Sequence, residues 1–214
     1  MNRKSFLIKS LLLTLPALIP GKALSVLLPK GKKYFNHGIA SGDPTNQAVI
    51  IWTRIDDVFA AEKNVEWEMA IDKNFENIQK KGAFLTSEKR DYTVKIDVEG
   101  LKQDTEYYYR FKYLGDTSET GKCKTLPNDI SNNLQIAVVS CNNYEDGYLT
   151  SFKHIANNKN IDYVFHLGDY IYEYATGKYC NKEFLAKTGR INDPEHEIIT
   201  LSDYRKRYAL YRKD

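Results

Sequence analysis

The chain has 214 residues, enough for two small domains or one of medium size. Its composition, 42% hydrophobic and 28% charged, is typical of a folded globular protein and excludes an intrinsically disordered chain. The net charge of +3 is small and the lysines are scattered, so the sequence carries no signature of nucleic-acid binding.

Residues 1–23 have the features of an export signal. Arg3 and Lys4 give a positive start, Leu11–Ile19 form a short apolar run, and Gly21–Ala23 provide small residues for cleavage. The start resembles a twin-arginine signal in which Lys4 replaces the second arginine, so the Tat and Sec routes both stay open. The apolar run is shorter than the roughly 20 residues that a spanning helix needs, so we expect no stable transmembrane anchor. The predicted location is the periplasm, the exterior or the cell surface.

Residues 34–127 are predicted to form an all-β domain. Apolar or alternating runs are separated there by turn residues, and the 16 tyrosines of the chain suit half-buried strands. The predicted strands are Ala48–Arg54, Val65–Ile71, Tyr92–Val98 and Thr105–Tyr113. The side chains expected on their buried faces include Val65, Trp67, Met69, Ile71, Tyr107, Tyr109, Phe111 and Tyr113. This spacing predicts an antiparallel sandwich.

Two further features of this domain resemble fibronectin type III-like domains. Gly100 and Leu101, followed by Thr105–Arg110, are similar to the tyrosine-bearing turn of those domains. Lys124–Pro127 is similar to their closing strand.

Residues 133–214 show a different pattern, which predicts an α/β unit. Leu134–Val139 and Asp162–Leu167 are apolar runs expected of strands buried on both faces, and Leu149–Ala156 has helical spacing between them. Strand, helix and strand in this order predict a βαβ unit with parallel strands. Leu201–Arg212 is predicted to be an amphipathic helix capped by Ser202. One such unit cannot bury both faces of a sheet, so we expect a partial domain; a small complete domain is the alternative.

Both predicted strands of this unit end in side chains that can bind metal. Ligands in open α/β sheets lie at the carboxyl ends of the strands, and adjacent strands are about 4.8 Å apart, so Cys141 and Asp169 could share one ion. Gly168 allows the sharp turn that this requires. A thiolate and a carboxylate together with the phenolate of Tyr172 would favour Fe³⁺ over zinc. The alternatives are a buried Cys141, a helix-capping Asp169 and a Tyr172 that only packs.

Five motifs resemble the PhoD-type alkaline phosphatases and occur in the same order. They are HGIASGDP at 37–44, IIWTR at 50–54, VVSCNNYEDGY at 138–148, HLGDYIYEY at 166–174 and LSDYRKRYALYRKD at 201–214. The resemblance covers nearly all of the chain after the export signal. It implies a β-sandwich followed by the first βαβ part of a metallophosphoesterase domain, and hydrolysis of phosphate esters as an alkaline phosphatase or phosphodiesterase.

The resemblance also implies cofactors and site residues. Iron would be held by Cys141, Asp169 and Tyr172, and Asp169 would also contact calcium. Later motifs that complete the site in the family are not found, so we expect this chain to be an inactive fragment. Two further interpretations remain: a fibronectin type III-like binding or adhesion module, and an unfolded remnant.

Several residues near these motifs are expected to have supporting or structural roles. His166 and Gly168 are expected to support the ligands rather than bind metal. Asn142 and Asn143 are candidates for phosphate contact, or they satisfy turns. His37 is expected to have a structural role or to lie at an interface between the two domains. Cys123 and Cys180 lie outside these motifs, and the sequence leaves a disulfide between them as an open alternative.

Overall fold

The computed structural model describes residues 33–57, 61–129 and 134–214. The predicted export signal lies outside the described residues. The described chain is mostly β-sheet with a few helices. No helix within it is long and apolar enough to cross a membrane.

Residues 39–124 form two antiparallel sheets that share one hydrophobic core. One sheet has the order β1–β2–β5, and the other has the order β4–β3–β6–β7, with β8 also paired to β6. The strands are β1 Ile39–Gly42, β2 Ala48–Arg54, β3 Glu62–Ala70, β4 Ile78–Ser87, β5 Thr93–Glu99, β6 Glu106–Tyr113, β7 Asp116–Thr117 and β8 Gly121–Lys124. A 3₁₀ turn, Glu88–Arg90, precedes β5.

The alternation of β6 places its aromatic face in the core, as predicted. The side chains of Tyr107, Tyr109, Phe111 and Tyr113 are all buried. They pack in one cluster with residues of the facing sheet, such as Ile51. Burial of large aromatic side chains is the main favourable term in such a core.

Several predictions for this part need correction. Ile71 was expected on the buried face but is 47% exposed, because β3 ends at Ala70 after an irregularity in its pairing with β4. Strand β4 was not predicted, because it lies at a sheet edge with mostly exposed side chains that show no alternation. The predicted closing strand Lys124–Pro127 is wrong: β8 ends at Lys124. Beyond it, the N–H of Leu126 donates to the carbonyl of Thr45 instead of to β6.

Residues 136–212 contain the predicted strand–helix–strand unit and two more helices. The elements are β9 Ile136–Val139, α1 Thr150–Asn157, β10 Tyr163–His166, α2 Lys182–Thr188 and α3 Leu201–Arg212. Strands β9 and β10 pair in parallel, with Val139 opposite His166. The sequence analysis missed α2, which Asn181 caps by accepting a hydrogen bond from the N–H of Phe184 at 3.0 Å.

Burial of β9 and β10 on both faces was a wrong prediction. Val138 is 59% exposed, Phe165 is 57% exposed and Leu167 is 73% exposed. The cause is the size of the sheet, since within the described chain these two strands pair only with each other.

The predicted cap of α3 is also wrong, because Thr200 rather than Ser202 begins the helix. The hydroxyl of Thr200 accepts from the N–H of Asp203 at 3.2 Å, and the carboxylate of Asp203 accepts from the N–H of Thr200 at 3.0 Å. These reciprocal hydrogen bonds satisfy two N–H groups at the helix start. Hydrogen bonding from Thr200 lowers the pKa of Asp203 to about 2.

Helix α3 packs against the outer face of the β1–β2–β5 sheet. The ring of Trp52 meets that of Tyr208 edge to face, with centroids 6.4 Å apart. Arg212 donates from Nε to the carbonyl oxygen of His37 at 3.1 Å, and Lys213 pairs with Asp56 at 3.3 Å. These contacts explain why β2 is apolar on both sides: one face is in the core and the other meets α3.

His37 lies at this contact and is fully buried, which agrees with its expected interface role. Its Nε2 contacts a guanidinium nitrogen of Arg54. Burial lowers the pKa of His37 to about 4, and the positive charges of Arg54 and Lys213 act in the same direction. Asp56 and Asp91 oppose this shift only in part. His37 is therefore neutral in the folded protein near pH 7.

We predict that Tyr107→Phe lowers the free energy of unfolding by about 1–2 kcal/mol. The hydroxyl of Tyr107 accepts a hydrogen bond from the N–H of Lys102 at 2.9 Å, and the substitution leaves that partly buried donor without its partner. Urea unfolding checks this. Tyr108→Phe is the matched control, because Tyr108 lies on the opposite face of β6. Equal stability of wild type and Tyr107→Phe would contradict the prediction.

We predict that the protein loses stability as the pH falls from about 6.5 to about 4, because the unfolded chain binds a proton at His37 while the folded chain does not. The loss from this one group reaches about 3 kcal/mol. His37→Asn should flatten the dependence of unfolding free energy on pH in that window. His154→Gln, on the exposed surface of α1, should leave the slope unchanged, and a slope identical in wild type and His37→Asn would refute the assignment.

Candidate metal centre

The loops that follow β9 and β10 are joined by main-chain hydrogen bonds. The N–H of Cys141 donates to the carbonyl of Gly168 at 3.2 Å, and the N–H of Asn142 donates to that of Asp169 at 2.9 Å. The parallel pairing of the strands thus continues past their ends. It places residues 141 and 169 side by side.

Both candidate ligands have a backbone conformation that side-chain-bearing residues seldom adopt. The φ angle is 59° at Cys141 and 55° at Asp169, both in the left-handed region, and Gly168 has φ 123°. Such conformations cost about 1–3 kcal/mol each and cluster at functional sites. Their presence at both strand ends favours a functional role for this edge of the sheet.

Two side chains converge on one carboxylate oxygen of Asp169. The thiol of Cys141 lies 3.4 Å from Oδ2 of Asp169, and the hydroxyl of Tyr172 lies 3.3 Å from the same oxygen. Cys141 and Asp169 are exposed and Tyr172 is half-buried, so an ion can reach them. The structure therefore brings together the three residues predicted as iron ligands.

The electrostatics of this cluster fit a cation. A hydrogen bond with Cys141 raises the pKa of Tyr172, and burial and the negative charge of Asp169 add to the effect. Without a cation the phenol therefore keeps its proton; a nearby metal ion reverses that preference. Across residues 33–57, 61–129 and 134–214, no group of three or more His, Cys, Asp or Glu side chains could hold a metal. The set at this site has two such side chains, so it depends on Tyr172 as the third donor.

His166 lies behind both loops. Its Nδ1 accepts from the N–H of Gly168 at 3.2 Å, and its Nε2 lies 2.9 Å from the side-chain amide of Asn142. The imidazole stacks on Phe152 of α1, with ring centroids 6.2 Å apart. This position suits the supporting role that the sequence suggested for His166.

The two asparagines take part in local hydrogen bonds. Asn142 is buried and contacts His166. Asn143 donates to the carboxylate of Asp146 at 2.9 Å and to the carbonyl of Tyr179 at 2.6 Å. These contacts support the alternative in which the asparagines satisfy turns, and contact with phosphate stays a prediction.

A cleft of about 350 Å³ opens beside Cys141. Its walls come from the end of β9, the loop that follows it and the start of α1. The lining residues are Val139, Ser140, Cys141, Asn142, Asn143, Asp146, Gly147, Tyr148, Leu149, Ser151 and Phe152. Of the three candidate ligands, Cys141 is the one that lines this cleft.

Sequence reasoning missed two arginines that brace this region, Arg207 on α3 and Arg190 in the segment between α2 and α3. Arg207 is fully buried and donates to the carbonyl of Tyr172 at 2.6 Å. Arg190 is buried, pairs with Asp214 at 2.5 Å and lies over the ring of Tyr144. For Arg207, the sequence feature that could have indicated this role was the high content of arginine and tyrosine in residues 201–212.

The cysteines form no disulfide. Cys123, Cys141 and Cys180 are all free thiols, so the structure gives no support for a bond between Cys123 and Cys180. Burial raises the pKa of Cys123 to about 12, which makes it an unreactive core residue. Cys141 is the exposed thiol of the three.

Both parts of the chain match known phosphatases. Residues 22–127 match the family model "PhoD-like phosphatase, N-terminal domain", and residues 136–214 match the model "PhoD-like phosphatase". Alkaline phosphatase D of Bacillus subtilis (strain 168) is 41% identical over 190 residues, covering 84% of this chain and 32% of that protein. The solved structure described as "Structure of PhoD" superposes with a TM-score of 0.77 at 40% identity, covering 87% of this chain and 37% of that one.

The chain thus spans about a third of the length of the relatives that it matches. The match nevertheless includes both sheets of the first part and both loops of the candidate centre. The chain belongs to the PhoD-like phosphatase family.

Proposed function

We propose that this protein is an exported, metal-dependent phosphoesterase that hydrolyses phosphate esters. The observation that carries the proposal is the convergence of Cys141, Asp169 and Tyr172 within 3.4 Å at the ends of two parallel strands. Family membership supports the reaction class. An adhesion module would have no need of a thiol and a carboxylate at adjacent strand ends, so the enzyme is favoured over that alternative.

The donor set supports ferric iron at this site, whereas calcium as a second ion in contact with Asp169 is implied by the family resemblance alone. Charged oxygen and sulfur donors balance the high charge of a trivalent ion. When bound, the metals would activate a water molecule and neutralise the charge that develops on phosphate. The thiol of Cys141 and the phenol of Tyr172 would give up their protons on metal binding.

The chain's own residues would hold this arrangement in place. Asp169 is fixed by the left-handed turn after Gly168, so its carboxylate faces both neighbours without reorganisation. His166 would hold the two loops together through Gly168 and Asn142. The cleft beside Cys141 is where we place the phosphate ester, with Asn142 and Asn143 at its wall.

The export part of the proposal rests on Arg3, Lys4 and the apolar run Leu11–Ile19, which precede a small-residue cleavage site. It implies action in the periplasm, outside the cell or at its surface. Ferric iron is stable in such oxidising surroundings.

We predict a visible absorption band when ferric iron is added to the purified chain, because an iron-bound phenolate transfers charge to the metal. Tyr172→Phe should abolish the phenolate band, since no other predicted ligand is a phenol, and leave only thiolate-to-iron absorption from Cys141. Tyr148→Phe is the matched control, because Tyr148 is exposed at the cleft but is not a predicted ligand. Survival of the band in Tyr172→Phe would show that the ligand assignment is wrong.

We predict that a longer gene product, in which the later PhoD-type motifs follow this sequence, hydrolyses 4-nitrophenyl phosphate in the exported cell fraction, whereas the 214 residues alone are inactive. Asp169→Asn should lower kcat/KM by about 100-fold or more, because it weakens the hold on both ions. Asp97→Asn on β5, an exposed position in the first part, should leave the rate unchanged. Full activity in Asp169→Asn would contradict the metal role, and activity confined to the cytoplasm would contradict export.

A further inference from the structure

Helix α3 contains an arginine in an unusual environment. Arg207 is fully buried, whereas arginine is seldom buried unless its charge is paired or hydrogen-bonded. Its side chain reaches away from the β1–β2–β5 sheet and toward the loop after β10. A buried guanidinium at this position must be stabilised by hydrogen bonds or by a charged partner.

The guanidinium of Arg207 donates to four main-chain carbonyl oxygens. Nη1 reaches the carbonyl of Tyr172 at 2.6 Å and that of Tyr174 at 3.2 Å. Nη2 reaches Pro194 at 2.6 Å, and Nε reaches Asp193 at 3.3 Å. One planar group thus joins the loop that carries Tyr172 to the segment that precedes α3.

The charge of this arginine is retained. Burial lowers the pKa of Arg207, but Tyr211, Glu145 and Asp193 act in the opposite direction. Glu145 is itself buried and accepts from the N–H of Gly177 at 3.1 Å. At neutral pH the guanidinium therefore keeps all five of its N–H donors.

Tyr172 is held at its backbone and at its ring. Its carbonyl accepts from Arg207. Its ring stacks on that of Tyr174, with centroids 5.8 Å apart and planes inclined by 18°. With these groups fixed, the hydroxyl of Tyr172 stays 3.3 Å from Asp169.

We propose that Arg207 is a positioning residue of the metal centre, which aims the phenol of Tyr172 at the ion by fixing the carbonyls of residues 172 and 174. The proposal rests on the metal centre described under the proposed function. It adds that the iron site depends on α3, a helix that provides no predicted ligand. Partners that orient metal ligands in this way typically change metal affinity by about 10–100-fold.

The chain offers a matched control two residues away. Arg205 also lies on α3 and also donates to main-chain carbonyls, at 3.3 Å to Glu88 and at 2.8 Å to Lys89. Its targets belong to the 3₁₀ turn of the first part and not to the metal loop. Tyr107→Phe serves as a second control, since it destabilises the protein without touching α3.

The experiment titrates ferric iron into the purified chain and into the variants Arg207→Met, Arg207→Lys, Arg205→Met and Tyr107→Phe. Circular dichroism and thermal melting establish that each variant is folded at the titration temperature. The visible band gives both the dissociation constant for iron and the energy and intensity of the phenolate transition. Loss of stability alone leaves the energy of that transition unchanged, whereas a misplaced phenol shifts it.

We expect Arg207→Met to weaken iron binding by about tenfold or more and to shift or weaken the band. Arg207→Lys should show a smaller loss, because an ammonium cannot donate to four carbonyls in the fixed plane of a guanidinium. Arg205→Met and Tyr107→Phe should bind iron with the affinity of the wild type and show the same phenolate band. If Arg207→Met does not fold, Arg207→Lys decides the question.

A wild-type band and wild-type affinity in the folded Arg207 variants would overturn this inference and leave the metal centre intact. Equal losses in Arg205→Met would also overturn it, because the effect would then belong to α3 docking in general. Absence of the band in the wild-type chain would instead refute the metal centre itself, and with it the role of Arg207.

Discussion

The parallel pairing of β9 with β10, continued past the strand ends, is the constraint on which the candidate centre depends. Val139 lies opposite His166, and the N–H of Leu167 then donates to the carbonyl of Val139 at 2.8 Å. The hydrogen bonds of residues 141 and 142 to the carbonyls of residues 168 and 169 extend the same register. Because a shift of one residue would turn Cys141 away from Asp169, this short ladder decides whether three donors meet.

The two parts of the chain contribute differently to that constraint. The first part has a closed core of aromatic and branched side chains and is stable by burial. The strand pair of the second part leaves apolar side chains such as Phe165 exposed, so burial alone holds it less firmly. Helix α3 connects the two, since Arg212 binds the backbone of the first part and Arg207 binds the loop after β10. The geometry of the centre therefore depends partly on the β1–β2–β5 sheet, which is distant from it in the sequence and is linked to it through α3.

The sequence predicts an element well where its side chains follow a clear alternating or apolar pattern. The alternation of β6 and the apolar run of β2 predicted the bounds of both strands to within one residue. The positions of Cys141 and Asp169 after two adjacent strands predicted that these side chains lie close together. Features that depend on tertiary partners could not be predicted in this way. Strand β4 has few buried side chains, and Arg207 lies in a charged run that resembles a solvated surface. Burial of β9 and β10 was predicted from hydrophobicity, which does not say whether a covering layer is present.

The most direct test of the account is X-ray absorption spectroscopy at the iron edge on the ferric-loaded chain. We predict a coordination shell of oxygen donors with one sulfur scatterer, and loss of the sulfur contribution in Cys141→Ser while the oxygen shell stays. A shell of oxygen and nitrogen alone in the wild-type chain would contradict the account, because Cys141 and Asp169 would then not share an ion.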